Sequence, residues 1–274
     1  MNNQASTLQN LVETEGMNQE TPEEFLDSVP RTNKCSATAL IFPQEYRSCF
    51  PEITSWITAI MGKDKACLWD QAGLVNEAML PKTHTTLRYQ TPKIVKTHSE
   101  TITVLPKQND LAAIIKGPQQ ERIRFLRQLN HNLKNYSEVW ISIVDTELKT
   151  AFAHINAVDK ICLMVPDHPE AAIKSYEIVK VLRNNGYFSQ IELLEFASRN
   201  SDTSQKHTNK IKKVAKDFLG LDLIGLGMVL SSNTEENEKS IFHFLSEAQR
   251  TKKQRNDFLF VFNENVVYQI PGTI

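Results

Sequence analysis

The stretch "TALIFPQEYRSCFPEITSWITAI", Thr38 to Ile60, decides how the chain is read. "TALIF" is a short continuous apolar run of strand type, and "FPEITSWITAI" has the apolar spacing of an amphipathic helix. A polar connection joins them. In many α/β proteins that connection is a glycine-rich loop whose backbone N–H groups hold phosphate. Here it contains no glycine. The strand and the helix suit a buried core, whereas the connection does not suit a polyphosphate.

Working outward, the same alternation repeats from Ser36 onward. Strands are expected at 37–42 (ATALIF), 65–70 (KACLWD), 101–106 (TITVLP), 139–145 (VWISIVD), 160–166 (KICLMVP), 190–196 (QIELLEF) and 224–230 (IGLGMVL). Most are continuous apolar runs, the mark of central parallel strands buried on both faces. Between them lie helical patterns: "FPEITSWITAIMG", "PQQERIRFLRQLNHNLKN", "HPEAAIKSYEIVKVLRNNG" and "NKIKKVAKDFLG". The last two stop at a glycine. "SIFHFLSEAQRTKKQR" reads as a final amphipathic helix, and "DFLFVFNENVVYQIPGTI" as a β-hairpin turning around Asn263–Asn265. The expected fold class is α/β: a mostly parallel central sheet flanked by helices on both faces. Residues 1–34 are polar and acidic and are interrupted by Pro22 and Pro30. They predict a flexible N-terminal tail with a short helix striped by Leu8, Leu11 and Val12, ahead of an α/β domain over 35–274.

Composition narrows the function classes. The chain has 274 residues, 41% of them apolar, enough for a substantial core. A net charge of −1 gives no global field favouring nucleic acid or acidic membrane. The basic stretches 206–216 and 250–255 read as solvated helix faces. Cys35, Cys49, Cys67 and Cys162 are far apart, show no zinc spacing and fit buried thiols in a reducing cytosol. The polar N-terminus resembles no signal peptide, and no apolar run nears the ~20 residues of a membrane helix. Ser36, Ser48 and Cys49 have no histidine at nucleophile spacing, and the G-x-S-x-G elbow is missing. His154 and His168 are expected to be solvated or hydrogen-bonded.

Four segments, taken in order, resemble the MinD/ParA (deviant Walker, SIMIBI) family of ATPases: "KACLWDQAGL", "YSEVWISIVDTEL", "VDKICLMVPDHPEAAIKSYEIVKVLR" and "IKKVAKDFLGLDLIGLGMVL". The resemblance spans residues 36–245 and implies the family's three-layer fold. It places Asp70 where the family manages the attacking water and Asp145 where it holds magnesium. The family's glycine–glycine–x–glycine–lysine–threonine loop falls on Pro43, Gln44, Glu45, Tyr46, Arg47 and Ser48. Pro43 has no N–H to offer. Glu45 would set a carboxylate beside phosphate, at a cost of about 1 kcal/mol in water and several times that in a drier pocket. Tyr46 occupies ligand space, while Arg47 and Ser48 keep a cation and a hydroxyl. "TELKTAF" stands where the family has a proline- and glycine-bearing turn. Phe196-Ala197-Ser198 stands where an asparagine reads the base. The resemblance therefore implies a degenerate nucleotide site: a pseudo-ATPase with no metal and no cofactor, in which Asp70 and Asp145, rather than pairing on a metal, cap their loops. The alternative is an atypical ATPase that grips nucleotide through Arg47 and Ser48.

"NNQASTLQNLVE" resembles the N-terminal helix of one branch of the family, the flagellar-number regulators FlhG/FleN. Gln4, Ala5 and Leu8 fall on the matching positions and Leu11 continues the stripe, whereas Asn3 and Gln9 depart from the pattern. In that branch the helix docks on the SRP-type GTPase FlhF, and its glutamine helps orient the attacking water. The implied partner is a protein, possible assemblies being the flagellum or a cellulose-synthesis, pilus or secretion machine. The implied state is a monomer or nucleotide-independent dimer, cytoplasmic and recruited to the pole through that partner, with no nucleic acid and doubtful membrane association.

Overall fold

The computed structural model describes residues 20–29, 35–44, 66–75, 93–96, 101–107, 111–168, 170–187, 190–197, 206–230 and 258–268. Among them, eight strands form one sheet: β1 (Ser36–Phe42), β2 (Ala66–Asp70), β3 (Lys93–Lys96), β4 (Thr101–Leu105), β5 (Glu138–Val144), β6 (Lys160–Pro166), β7 (Gln190–Ala197) and β8 (Ile224–Leu230). Their spatial order is β3-β4-β2-β5-β1-β6-β7-β8. Every neighbouring pair is parallel except β3 with β4. The expected α/β class, with a mostly parallel sheet, is the observed one. The antiparallel edge strand β3 was not expected from the sequence. "KIVK" offers two apolar residues, too short a run for a period-two signal.

Residues of opposite parity along the strands build two separate clusters, as the pleat requires. Ala39, Ile41, Trp69, Ile141, Ile143, Leu163, Val165 and Leu193 join one cluster with apolar residues of the helices. Leu40, Phe42, Leu68, Trp140, Val144, Met164, Leu194 and Phe196 join the other, with Ala72, Leu74 and Val75. The first face is covered by α1 (Pro22–Ser28), α2 (Leu111–Lys116), α3 (Gln119–Leu133), α4 (Phe152–Ile155), α5 (Ala171–Asn184), α6 (Lys206–Leu219) and α7 (Phe258–Tyr268). The expected helices "FPEITSWITAIMG" and "SIFHFLSEAQRTKKQR" lie outside the described residues.

Two expectations are corrected. Phe258–Tyr268 is a helix, not an arm of a hairpin. Phe258, Phe262 and Val266, four apart, are all fully buried. The asparagines taken for a turn are also buried. Asn263 Nδ2 donates to Asn130 Oδ1 at 3.1 Å, and Asn265 Nδ2 donates to the Ala153 carbonyl at 3.4 Å. Aromatic and β-branched residues favour strands only weakly, and a fitting apolar slot overrides that preference.

The second concerns 20–29, which was expected to be part of the polar tail. It contains a helix opened by a capping box: Thr21 Oγ1 accepts from Glu24 N–H, and the Glu24 carboxylate accepts from Thr21 N–H. Pro22 sits at its first position, where the missing N–H costs nothing. Phe25 and Leu26 are buried in the first cluster, and Glu20 pairs with Arg127 of α3. Pro22, expected to interrupt the tail, instead marks where this helix begins. Cys35, Cys67 and Cys162 are buried, and burial pushes the Cys67 thiol up to about 12.

Candidate functional site

Because β1 lies beside β5 and β5 beside β2, the C-terminal ends of these strands converge on one edge. Phe42 is in register with Val144, and Asp70 with Ser142. Open parallel sheets bind ligands at this edge. It gathers Pro43, Gln44, Asp70 and Asp145. Glu45, Tyr46, Arg47 and Ser48 lie outside the described residues, as do Gln4, Ala5, Leu8 and Leu11.

Asp70 is buried and its carboxylate is enclosed by its own loop. Oδ1 accepts from Leu74 N–H at 2.8 Å and from the Ser142 hydroxyl at 2.7 Å, and Oδ2 accepts from Val75 N–H at 2.8 Å. Ser142 Oγ in turn accepts from Ala72 N–H at 3.1 Å. The loop can curl this tightly because Gly73 has φ +71, a left-handed conformation that other residues adopt only with strain. Burial raises the Asp70 carboxyl above the ordinary range, and hydrogen bonds from Ser142, Val75, Leu74 and Gly73 pull it back. The group is engaged as a loop clamp.

Asp145 is engaged in the same manner. It opens a 3₁₀ turn, Asp145–Thr150. Its Oδ1 accepts from Thr146 N–H at 2.8 Å and from Gln44 N–H at 3.0 Å. The Thr146 hydroxyl donates to Gln44 Oε1 at 2.5 Å. Gln44 is the first N–H after β1 and Pro43, the group that a phosphate-holding loop would aim at its ligand. Here it faces a carboxylate of the same chain. Lys107, just beyond β4, pairs with Glu147 of the turn at 2.6 Å, so this cation too has an acidic partner.

His154 departs from its expectation. It is fully buried on α4, and neither ring nitrogen meets a partner in hydrogen-bond geometry. Its ring packs edge-on to Trp69 at 4.5 Å and tilted against Phe262 at 4.9 Å. Burial pushes its pKa down to about 3, with the nearby Ala151 carbonyl offsetting part of the effect. His168 is exposed, and its Nδ1 accepts from Glu170 N–H at 3.3 Å.

Sequence reasoning missed a second group on the same edge, on the far side of β1 from Asp70. Asp167 follows β6, Glu195 is on β7 and His207 is in the first turn of α6; their ligand atoms all lie within 4.8 Å of one another. A visible signal was the carboxylate of Glu195 inside the apolar run "QIELLEF".

Among the described residues, no helix is long and apolar enough to cross a membrane. No protein-family model matches the chain, and no curated protein matches it. Among solved structures it is similar to a ParA family ATPase from Chlorobium tepidum TLS, at 10% identity over 86% of this chain and 98% of that one, with a TM-score of 0.47. The MinD cell division protein of Aquifex aeolicus is similar at 12% identity, over 84% and 96% of the two chains, with a TM-score of 0.46. A protein titled apo McdA gives 13% identity, 84% and 99% coverage and a TM-score of 0.48.

Proposed function

We propose that this chain is a non-catalytic regulatory protein of MinD/ParA type, a pseudo-ATPase that acts by touching other proteins. One observation carries the reading: the polar groups at the strand edge that would meet a nucleotide are bonded to one another. Gln44 N–H is held by Asp145, and Asp70 has both oxygens engaged by Leu74, Val75 and Ser142. A triphosphate approaching Gln44 would meet the Asp145 carboxylate at close range and would have to break the Gln44–Thr146 link. Repulsion between like charges opposes that.

Calorimetry with ATP and Mg²⁺ tests the reading. The expected result is no saturable heat up to millimolar nucleotide. Micromolar binding would overturn it in favour of an atypical ATPase using Arg47 and Ser48.

Beyond the missing activity, the proposed docking element is the N-terminal segment bearing Gln4, Ala5, Leu8 and Leu11. The proposed partner is an FlhF-like GTPase at a polar flagellum, the other candidates being cellulose-synthesis, pilus and secretion assemblies. The segment is joined to the domain through Glu20, which is tied to α3 by Arg127 and by Gln120 Nε2 on its carbonyl at 3.2 Å. Gln4→Ala is expected to abolish stimulation of the partner GTPase while leaving the thermal midpoint unchanged. Undiminished stimulation by the variant removes the activator role.

A further inference from the structure

We propose that Asp167, Glu195 and His207 form a binding site for one divalent transition-metal ion. Three elements present the donors: the residue after β6, the seventh-strand position Glu195, and the start of α6. Strands β6 and β7 are parallel neighbours, with Pro166 opposite Phe196, so Asp167 and Glu195 emerge at the same edge. His207 Nε2 already stands 3.4 Å from Asp167 Oδ1. That matches the separation of two ligands on a tetrahedral ion at roughly 2.1 Å from each.

A second observation points to a ligand. Glu195 is fully buried, and although its Oε2 accepts from the Thr208 hydroxyl at 2.9 Å, its Oε1 has no hydrogen-bond partner. A buried carboxylate oxygen without a donor is costly, and native structures rarely leave one so. The Thr208 contacts account for Glu195 as a brace for the start of α6. They leave the other oxygen unexplained. An ion shared with Asp167 and His207 satisfies it and balances the two carboxylates.

The donor set selects the class of ion. An imidazole with two carboxylates suits Zn²⁺, Co²⁺, Mn²⁺ or Fe²⁺, whereas Mg²⁺ and Ca²⁺ favour all-oxygen sets. Asp167 and His207 are partly exposed, so the remaining coordination positions open to solvent. The site lies beyond β1 from Asp70 and shares no residue with the nucleotide-site remnant.

Co²⁺ is the probe, because its visible absorption reports coordination. Chelator-stripped full-length chain, dialysed against micromolar Co²⁺, is expected to retain one ion per chain. It should show d–d absorption, and saturating ion should raise the thermal midpoint by several degrees. His207→Ala, at a partly exposed position that does not endanger folding, is expected to weaken binding at least about 10-fold, as is Glu195→Gln. His168→Ala, exposed and one residue from Asp167, should bind as the wild type does. Failure of the wild type to retain Co²⁺, full affinity in His207→Ala, or loss in His168→Ala alone would each overturn the assignment. None of these readings depends on nucleotide.

Discussion

Phe262→Ala is expected to lower the free energy of unfolding by about 3–5 kcal/mol, the range for deleting a large buried aromatic without collapse of the cavity. Phe262 has no exposed surface. Its ring stacks on Phe258 at 5.7 Å, meets Trp69 edge-on at 5.5 Å and leans on His154 at 4.9 Å. These partners belong to a different helix, to the sheet and to α7 itself, so no one of them can move in to fill the space. Urea unfolding at pH 7.5 measures the effect. Phe218→Ala is the contrast: that ring is 76% exposed, and its removal should shift stability by less than about 0.5 kcal/mol. A Phe262→Ala loss below 1 kcal/mol would mean that α7 is not an anchor of the core.

The second large effect is acid sensitivity through His154. Its folded pKa is about 3, whereas an unperturbed histidine titrates near 6.5. The unfolded chain therefore takes up a proton below about pH 6.5 that the folded chain refuses until about pH 3. The contribution is fully present above pH 6.5 and declines as pH falls through that window, by about 1.4 kcal/mol per pH unit. The whole window amounts to roughly 5 kcal/mol. His154→Leu removes the titration and two buried polar atoms that lack hydrogen-bond partners, so it should be near neutral at pH 7.5 and markedly stabilising relative to wild type at pH 4.5. Urea midpoints for both proteins across pH 7.5 to 4.5 give the answer. Parallel curves would show that the acid sensitivity resides elsewhere.

The strands were legible because a parallel strand buried on both faces leaves a mostly apolar run: β6 has one unbroken, β1 and β5 are interrupted only by Thr38 and Ser142, and β7 keeps its apolar residues around Glu192 and Glu195. Their order in space was not, because adjacency of β1 to β5 and β6 is set by crossovers that no local pattern records. The helix Phe258–Tyr268 was misread since its residues are aromatic or β-branched, and short apolar runs fit either period. Its Asn263 and Asn265 resemble turn residues until their partners on α3 and α4 are known. At the strand edge, the sequence resemblance singled out Asp70 and Asp145. Their work as clamps depends on donors four and five residues on for Asp70 and about a hundred residues back for Asp145. Asp167, Glu195 and His207 escaped because they follow no ligand spacing; the pairing of β6 with β7 and the docking of the start of α6 on Glu195 through Thr208 unite them.

The roofing of Trp69 by Phe262 joins residues about 190 positions apart in the chain. During synthesis, the sheet surface around Trp69 emerges from the ribosome long before its cover exists. Until α7 arrives, that surface lacks its Phe262 cover and is open to chaperones and to neighbouring nascent chains. A premature stop ahead of Phe258 would make this exposure permanent, so such a product should be cleared or clump rather than persist as a slightly shortened protein.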